Sequence, residues 1–238
     1  MLLRKATGNM YDFLTHIWNP VKGKCGYDCS YCYMRKMERF PHIARINRGE
    51  TYLDEKEMRT NLGEGNYIFV CSSCDLFHDD IPGEWIRRIM EYANSSYNRF
   101  LWHTKNPRRA LEFQECFSNT DMLCVTVETN REYPEISKAP SPLSRFHAIG
   151  DWGKPWMLTM EPILDFNLED LAVYLGRNVP VQVNIGADSG RNNLPEPSPE
   201  KLKELIGWLE SKGVAVHQKK NLGRLLPEHR PCGGKGGR

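Results

Sequence analysis

Three cysteines crowd into the stretch "KGKCGYDCSYCYM", where Cys25, Cys29 and Cys32 follow the spacing Cys-x3-Cys-x2-Cys. Thiolates this close in sequence can face one point, which is the arrangement of a metal site rather than of a disulfide. A closed tetrahedral zinc site needs a fourth ligand, often from a second Cys or His pair. A [4Fe–4S] cubane held by three cysteines leaves one iron open to a substrate or cofactor. The spacing alone leaves both readings open, and the lack of an evident fourth ligand favours the open cluster. Tyr31 and Tyr33 flank Cys32 and place aromatic rings beside the same point. The chain holds eight cysteines in all. Cys71-x2-Cys74 has metal or redox spacing, and its thiols are candidate hydrogen donors, with an auxiliary cluster or plain packing as alternatives. Cys116 and Cys124 read as small buried hydrophobes.

Such a loop needs a scaffold. Short β-branched or aromatic runs stand at 13–17, 67–70, 100–103, 122–127, 156–160, 181–185 and 213–217, and several are apolar almost throughout, as in strands covered on both faces. Helical stretches alternate with them at 82–95, 107–117, 168–175 and 198–209. Proline lies near the first turn of 82–95 and 107–117, and Ser198-Pro199 opens the last. Six or seven β-α alternations predict right-handed crossovers and a parallel sheet. A complete eight-unit barrel takes about 250 residues, so 238 residues suit a partial (β/α)6-type TIM barrel with the cysteine loop after its first strand. The expected division is one domain over 1–228 and a flexible, basic, Gly-rich tail over 229–238, which contains Cys232.

Barrel sites form at the carboxyl ends of strands, so the polar residues there are the candidates. They are Ser73 and Asp75 after the second strand, His103 and Lys105 at the third, and Glu128 at the fourth. Glu161 follows the fifth, Asn184, Gly186 and Asp188 the sixth, and Lys219 the last. A carboxylate closing an apolar strand costs desolvation unless paired, which points Glu161 toward the site. The blander readings are a turn at Asp75, a helix-start carboxylate at Glu128 and a glycine turn at Gly186.

At the cysteines the chain resembles the radical S-adenosylmethionine superfamily, whose motif is Cys-x3-Cys-x-aromatic-Cys after the first strand of a partial barrel. The resemblance implies that Cys25, Cys29 and Cys32 ligate a [4Fe–4S] cluster and that Tyr31 packs near the adenine of S-adenosylmethionine. Tyr33, Ser73, Asp75, Glu128, Glu161, Asn184 and Gly186 then become cofactor-binding candidates, with Ser73 and Asp75 on the methionine ammonium. Cys71, Cys74 and Lys105 are the candidates for contact with substrate. The implied activity is reductive cleavage of S-adenosylmethionine to a 5′-deoxyadenosyl radical that removes hydrogen from a substrate. Within the superfamily the chain is similar to the phage-associated three-cysteine-motif proteins. The shared words are "WNPVKGKC", "IFVCSSCDLFHDDIP", "HTKNPRRALEF", "VTVETN", "MEPILDF" and "NIGADSG", in that order from Trp18 to about Lys219. Cys71 and Cys74 depart from that pattern, so no role is carried over to them.

Apolar residues make up 40% and charged residues 26%, an ordinary globular composition, and the net charge is only +2. No whole-surface basic field for nucleic acid follows from that charge, although "KNPRRALEF" offers Lys105, Arg108 and Arg109 as a local phosphate patch. No apolar run approaches membrane length and no leader pattern opens the chain, so a cytoplasmic monomer is expected, in the host cytoplasm if a phage encodes it. The implied partners are S-adenosylmethionine, a one-electron donor and a nucleic-acid base or nucleotide that is rearranged or modified. The rivals are a zinc-bound nucleic-acid-binding module without catalysis and an enzyme that modifies a peptide.

Overall fold

The computed structural model describes residues 2–8 and 10–226; the tail expected over 229–238 lies outside them. In chain order the elements are β1 (Arg4–Lys5), β2 (His16–Trp18), β3 (Val21–Lys22), α1 (Tyr33–Met37), α2 (Pro41–Asn47), β4 (Tyr52–Leu53) and β5 (Tyr67–Val70). They continue with α3 (Gly83–Asn94), β6 (Arg99–Thr104), α4 (Pro107–Leu111), β7 (Met122–Thr126), α5 (Pro142–Gly150) and β8 (Trp156–Met160). The last are α6 (Leu168–Arg177), β9 (Gln182–Ile185), α7 (Pro199–Ser211) and β10 (Ala215–Gln218). Eight strands form one sheet in the order β1-β2-β5-β6-β7-β8-β9-β10, parallel throughout except for β1 against β2. Among the described strands β1 and β10 are not paired, so the sheet is a partial TIM-type barrel rather than a closed one.

Strand alternation divides the side chains into two cores. Ile68, Val70, Phe100, Trp102, Leu123, Val125, Trp156, Leu158, Val183 and Ile185 face outward into the layer shared with the helices. Tyr67, Phe69, Leu101, Cys124 and Met157 face the lumen. The helices cover the outer face by their own period: Ile86, Ile89, Met90 and Ala93 on α3, and Leu202, Leu205, Ile206 and Leu209 on α7, are all buried. Each such aliphatic side chain contributes about 1.5–3 kcal/mol when removed from water. Ser141, Asn167 and Ser198 cap α5, α6 and α7 by accepting the backbone N–H three residues on.

The first strand begins later than its sequence suggests. Phe13 and Leu14 turn into the lumen with Tyr11, Phe13 stacking on Tyr11 at 5.3 Å, while Tyr11 and Phe13 meet His217 of β10 edge-on at 6.4 Å. The amino-terminal segment therefore fills the gap that a closed barrel would bridge with hydrogen bonds. Residues 107–117 form α4 followed by a short 3-10 turn at Gln114–Cys116 rather than one helix. Between β3 and β4, whose two-residue ladder pairs Val21 with Leu53 and Lys22 with Tyr52, the chain makes the excursion that carries the three cysteines, α1 and α2.

Candidate functional site

Lumen parity carries on past the strand ends. Leu101 and His103 lead to Lys105, Cys124 and Thr126 to Glu128, Met157 and Thr159 to Glu161, Asn184 to Gly186, and His217 to Lys219. Each candidate stands two residues beyond an inward-facing one, so the carboxyl ends of four strands deliver polar side chains to the same mouth and that of β9 a glycine.

Glu128 is the centre of one group. Its Oε1 accepts from Tyr31 Oη and Lys105 Nζ, and its Oε2 accepts from Arg145 Nη1 at 2.7 Å, with Glu128 and Arg145 both buried. Burial works to raise the Glu128 carboxyl, but Lys105 and Arg145 outweigh it and hold the group well below the usual carboxylate range. Burial, then the Glu128 charge, pushes the Tyr31 phenol well above its ordinary value. Lys105 also lies 5.0 Å from the centre of the Tyr31 ring. Arg145 reaches the site from α5 and is not among the sequence candidates; a contact 17 residues away has no local signal.

Glu161 and Lys219 form a second group. Glu161 Oε2 lies 2.9 Å from Lys219 Nζ, Asn221 donates to Glu161 Oε1 at 3.3 Å, and Lys219 sits 4.6 Å from the centre of the Tyr11 ring. Gly186 is small because of Glu161: a methyl at 186 would lie 2.8 Å from the Glu161 Cγ, Cδ and Oε1 atoms. The glycine thus makes room for a carboxylate of the protein.

Other candidates are engaged in holding the frame. Asp75 is buried, and its carboxylate accepts from the Lys105 N–H at 2.6 Å, Thr104 Oγ1 at 2.8 Å and the Phe77 N–H at 3.0 Å. It ties the end of β5 to the end of β6, and burial raises it above an ordinary aspartate. Asn184 lies inside the lumen, donating to Thr159 Oγ1 at 3.3 Å and accepting from Gln182 at 2.6 Å. His103 shares a 2.6 Å hydrogen bond with Thr126 Oγ1, and burial drives its pKa down to about 3, so the ring is neutral. Asp188 binds the backbone of its own loop through the N–H groups of Gly190 and Asn192. Ser73 is half-buried in the turn after Cys71, and Tyr33 Oη donates to the Ser72 carbonyl at 3.0 Å.

Cys71 and Cys74 do not follow the lumen parity. Cys71 has φ 56°, which breaks the alternation of β5 and sends both thiols into the outer core, 4% and 9% exposed. Cys74 Sγ donates to the Val21 carbonyl at 3.5 Å. Contact with Cys71, then burial, pushes the Cys74 thiol well above its ordinary range, so it is neutral. Cys124 is the thiol in the lumen, fully buried and 3.2 Å from Thr159 Oγ1, which in turn is 2.7 Å from Tyr11 Oη. The expected phosphate patch is not one surface. Lys105 is turned to Glu128, and Arg109 pairs with Glu112.

The three loop cysteines each have partners suited to a thiolate. The backbone N–H groups of Tyr27 and Asp75 favour the Cys25 thiolate, those of Met34 and Arg35 favour the Cys32 thiolate, and Cys29 Sγ lies 3.1 Å from Ser137 Oγ. Burial, helped by the Asp75 charge, pushes Cys25 up to about 11; Cys29 raises both Cys25 and Cys32 and so stands within Coulombic reach of each. Among the described residues no three His, Cys, Asp or Glu side chains converge on one ion as they stand. The donor set nevertheless fits an iron–sulfur group: three thiols on one loop, backed by N–H groups of the kind that sulfur ligands accept, with a cation to reverse the effect of burial. Two cavities of about 350 and 390 Å3 lie at the opposite, amino ends of the strands and are not this site.

The fold recurs in solved structures. Spore photoproduct lyase complexed with dinucleoside spore photoproduct matches 75% of this chain and 57% of its own, at TM-score 0.55 and 13% identity. A cysteine-to-alanine mutant of spore photoproduct lyase matches 95% and 79%, at 0.58 and 11%. SuiB of Streptococcus suis bound to S-adenosylmethionine matches 89% and 52%, at 0.54 and 10%. The chain thus spans little more than half the length of two of these proteins, and at such identity the likeness is one of fold. Among curated proteins none matches the chain in sequence. Residues 9–221 match the family model described as "Protein of unknown function (DUF5131)", nearly the whole chain, and the protein belongs to that family.

Proposed function

We propose that this protein is a radical S-adenosylmethionine enzyme acting on a nucleobase or its nucleotide, with Cys25, Cys29 and Cys32 as the ligands of a [4Fe–4S] cluster. The observation that carries the reading is the trio of thiols, Cys25 and Cys32 favoured as thiolates by nearby backbone N–H groups and Cys29 set against Ser137 Oγ, on a loop that emerges at the polar mouth of a partial barrel. When bound, the cluster and S-adenosylmethionine supply one-electron cleavage of the sulfonium and removal of hydrogen from a substrate carbon. The chain supplies position and exclusion of water. Lys105 and Arg145 against Glu128 leave one positive charge in excess, which suits the carboxylate of the methionine portion. Glu161, held by Lys219 and Asn221, presents acceptor oxygens of the kind that bind ribose hydroxyls. Asp75 acts through Lys105, whose backbone it fixes.

The shared fold with SuiB bound to S-adenosylmethionine supports the cofactor, and the lyase complexed with a dinucleoside supports a base-bearing substrate. The lumen adds planar rings in series, with Tyr11 on Phe13 and His103 5.4 Å from Phe69. Because Lys105 is turned into the mouth toward Glu128 while Arg109 pairs with Glu112 on its helix, the two do not form one surface for a duplex backbone, and a free base or nucleotide fits better than a duplex, which would also cost a few kcal/mol to flip a base out.

The test is anaerobic reconstitution with iron and sulfide, reduction by dithionite, and addition of S-adenosylmethionine. 5′-Deoxyadenosine and methionine are expected, and both should vanish in the Cys25/Cys29/Cys32→Ala protein. Deuterium from a labelled nucleotide is expected in the 5′-deoxyadenosine. Iron-replete, reduced protein that releases none would overturn the activity. Label arriving only from a peptide would overturn the substrate class.

A further inference from the structure

The excursion between β3 and β4 carries a surface that the site described above does not use. Within residues 33–48 five Lys or Arg stand against a single Glu, so the rest of the chain is net acidic while the whole is only +2. Arg48 pairs with Glu38 and Arg35 with Asp28, but Arg39 and Arg45 form no ion pair among the described residues. Neither α1 nor α2 buries a residue, and the two pack on each other. Tyr33 and Phe40 are large apolar side chains left 52% and 39% exposed, with Arg39 4.9 Å from the centre of the Phe40 ring. Exposed aromatics set among unpaired arginines make a docking surface rather than a solvated one.

Its place in the chain says what docks. Cys32 is the residue that caps the start of α1, so the basic face begins at a cluster ligand. Electron transfer weakens steeply with distance, and a carrier seated here would stand next to the group it must reduce. The patch is small: α1 is about 7.5 Å long and α2 about 10.5 Å at 1.5 Å per residue. That is enough to seat the acidic rim of a small protein, but too short to track a nucleic-acid backbone over several phosphates.

We propose that α1 and α2 form the docking face for a small acidic one-electron carrier protein, of flavin or iron–sulfur type, that reduces the cluster. This rests on the function proposed above. Complementary charge acts chiefly on the encounter, so binding should be fast and salt-sensitive.

The test uses the full chain and the Arg39→Glu/Arg45→Glu variant with an acidic flavodoxin as the probe. Anisotropy of labelled flavodoxin should report binding that weakens with salt and falls by about tenfold in the variant. Stopped-flow reduction of the reconstituted cluster by reduced flavodoxin should slow by a similar factor, while reduction by dithionite stays unchanged. Equal binding and equal reduction in both proteins would overturn the docking face. So would a single-stranded oligonucleotide that binds through these arginines when flavodoxin does not. A chain that binds flavodoxin here yet takes up no reducible cluster overturns the proposed function and leaves the docking face standing. A chain that cleaves S-adenosylmethionine with dithionite but ignores flavodoxin overturns the docking face alone.

Discussion

Gly26 sits between Cys25 and Tyr27, and His78 rests directly against it. A methyl at 26 would lie 2.2 Å from His78 Nε2 and 2.4 Å from Cε1. The imidazole has little freedom to retreat, because its Nδ1 accepts the Asp80 N–H at 3.1 Å and its ring meets Tyr27 at 4.5 Å. Overpacking of this sort costs about 1–3 kcal/mol, and here it would fall on the loop that holds Cys25. Gly26→Ala is therefore expected to lower iron content per chain to less than about half. His78→Ala in the same chain should restore it, since the three atoms nearest the added methyl all belong to the His78 ring. Iron and sulfide analysis after identical reconstitution decides the matter, and an unchanged content in Gly26→Ala would show that the loop adapts without cost.

At the scale of elements, α5 matters more than its modest sequence signal suggests. Its Arg145 is 3% exposed and spans from the Pro140 carbonyl to the Thr126 carbonyl and Glu128. Breaking a buried pair by removing one partner typically costs 3–5 kcal/mol, because the remaining charge stays desolvated. Arg145→Met keeps much of the volume and should cost about that much in urea unfolding, with Lys105 still present to soften the loss. Adding Glu128→Gln should recover part of it, the mark of a coupled pair; additive losses would mean that the two act separately. The strands from β5 to β9 were legible in the sequence because both faces are buried and their runs are apolar. Their carboxyl ends also placed Lys105, Glu128, Glu161 and Gly186 at the mouth. Much of the rest had no local signature. β3 and β4 are two residues each, too short for any period, and Arg145 meets Glu128 only through the fold. Ser141-Pro142 was a readable helix start, the same device as Ser198-Pro199, and marks α5 in hindsight. Asp75 was readable as a carboxylate at a strand end, but its turn toward the Lys105 N–H depends on β6 lying alongside.

For the molecule as a whole, the strand ends divide the work. The amino ends enclose cavities lined by Phe13, Tyr67, Arg99 and Gln182, while the carboxyl ends gather the ionised groups and the cysteine loop. Among the described residues no helix is long and apolar enough to cross a membrane. The outer core and the lumen are complete without α1 and α2, and the excursion is fastened at its base by a two-residue ladder and by Lys22, which pairs with Asp54 at 2.6 Å and Glu57 at 3.1 Å. The cysteine stretch is tied to the barrel by the Ser30 N–H on the Ile136 carbonyl and by Tyr31 on Glu128, whereas among the described residues α1 and α2 reach it by hydrogen bond only through Lys36 to the Gly190 carbonyl and Tyr33 to the Ser72 carbonyl. Segments with few buried contacts open at low free energy. Trypsin should accordingly cut the metal-free chain first within residues 35–48 and leave the barrel intact, and iron loading should slow that cut; mass spectrometry of the early fragments will tell, and first cuts elsewhere would contradict it. The consequence concerns the history of the protein rather than its reaction. Under the proposed function, a barrel that completes itself before the cluster is inserted can be stored ready-made, and maturation then becomes a separate event, set by iron and sulfide supply rather than by synthesis.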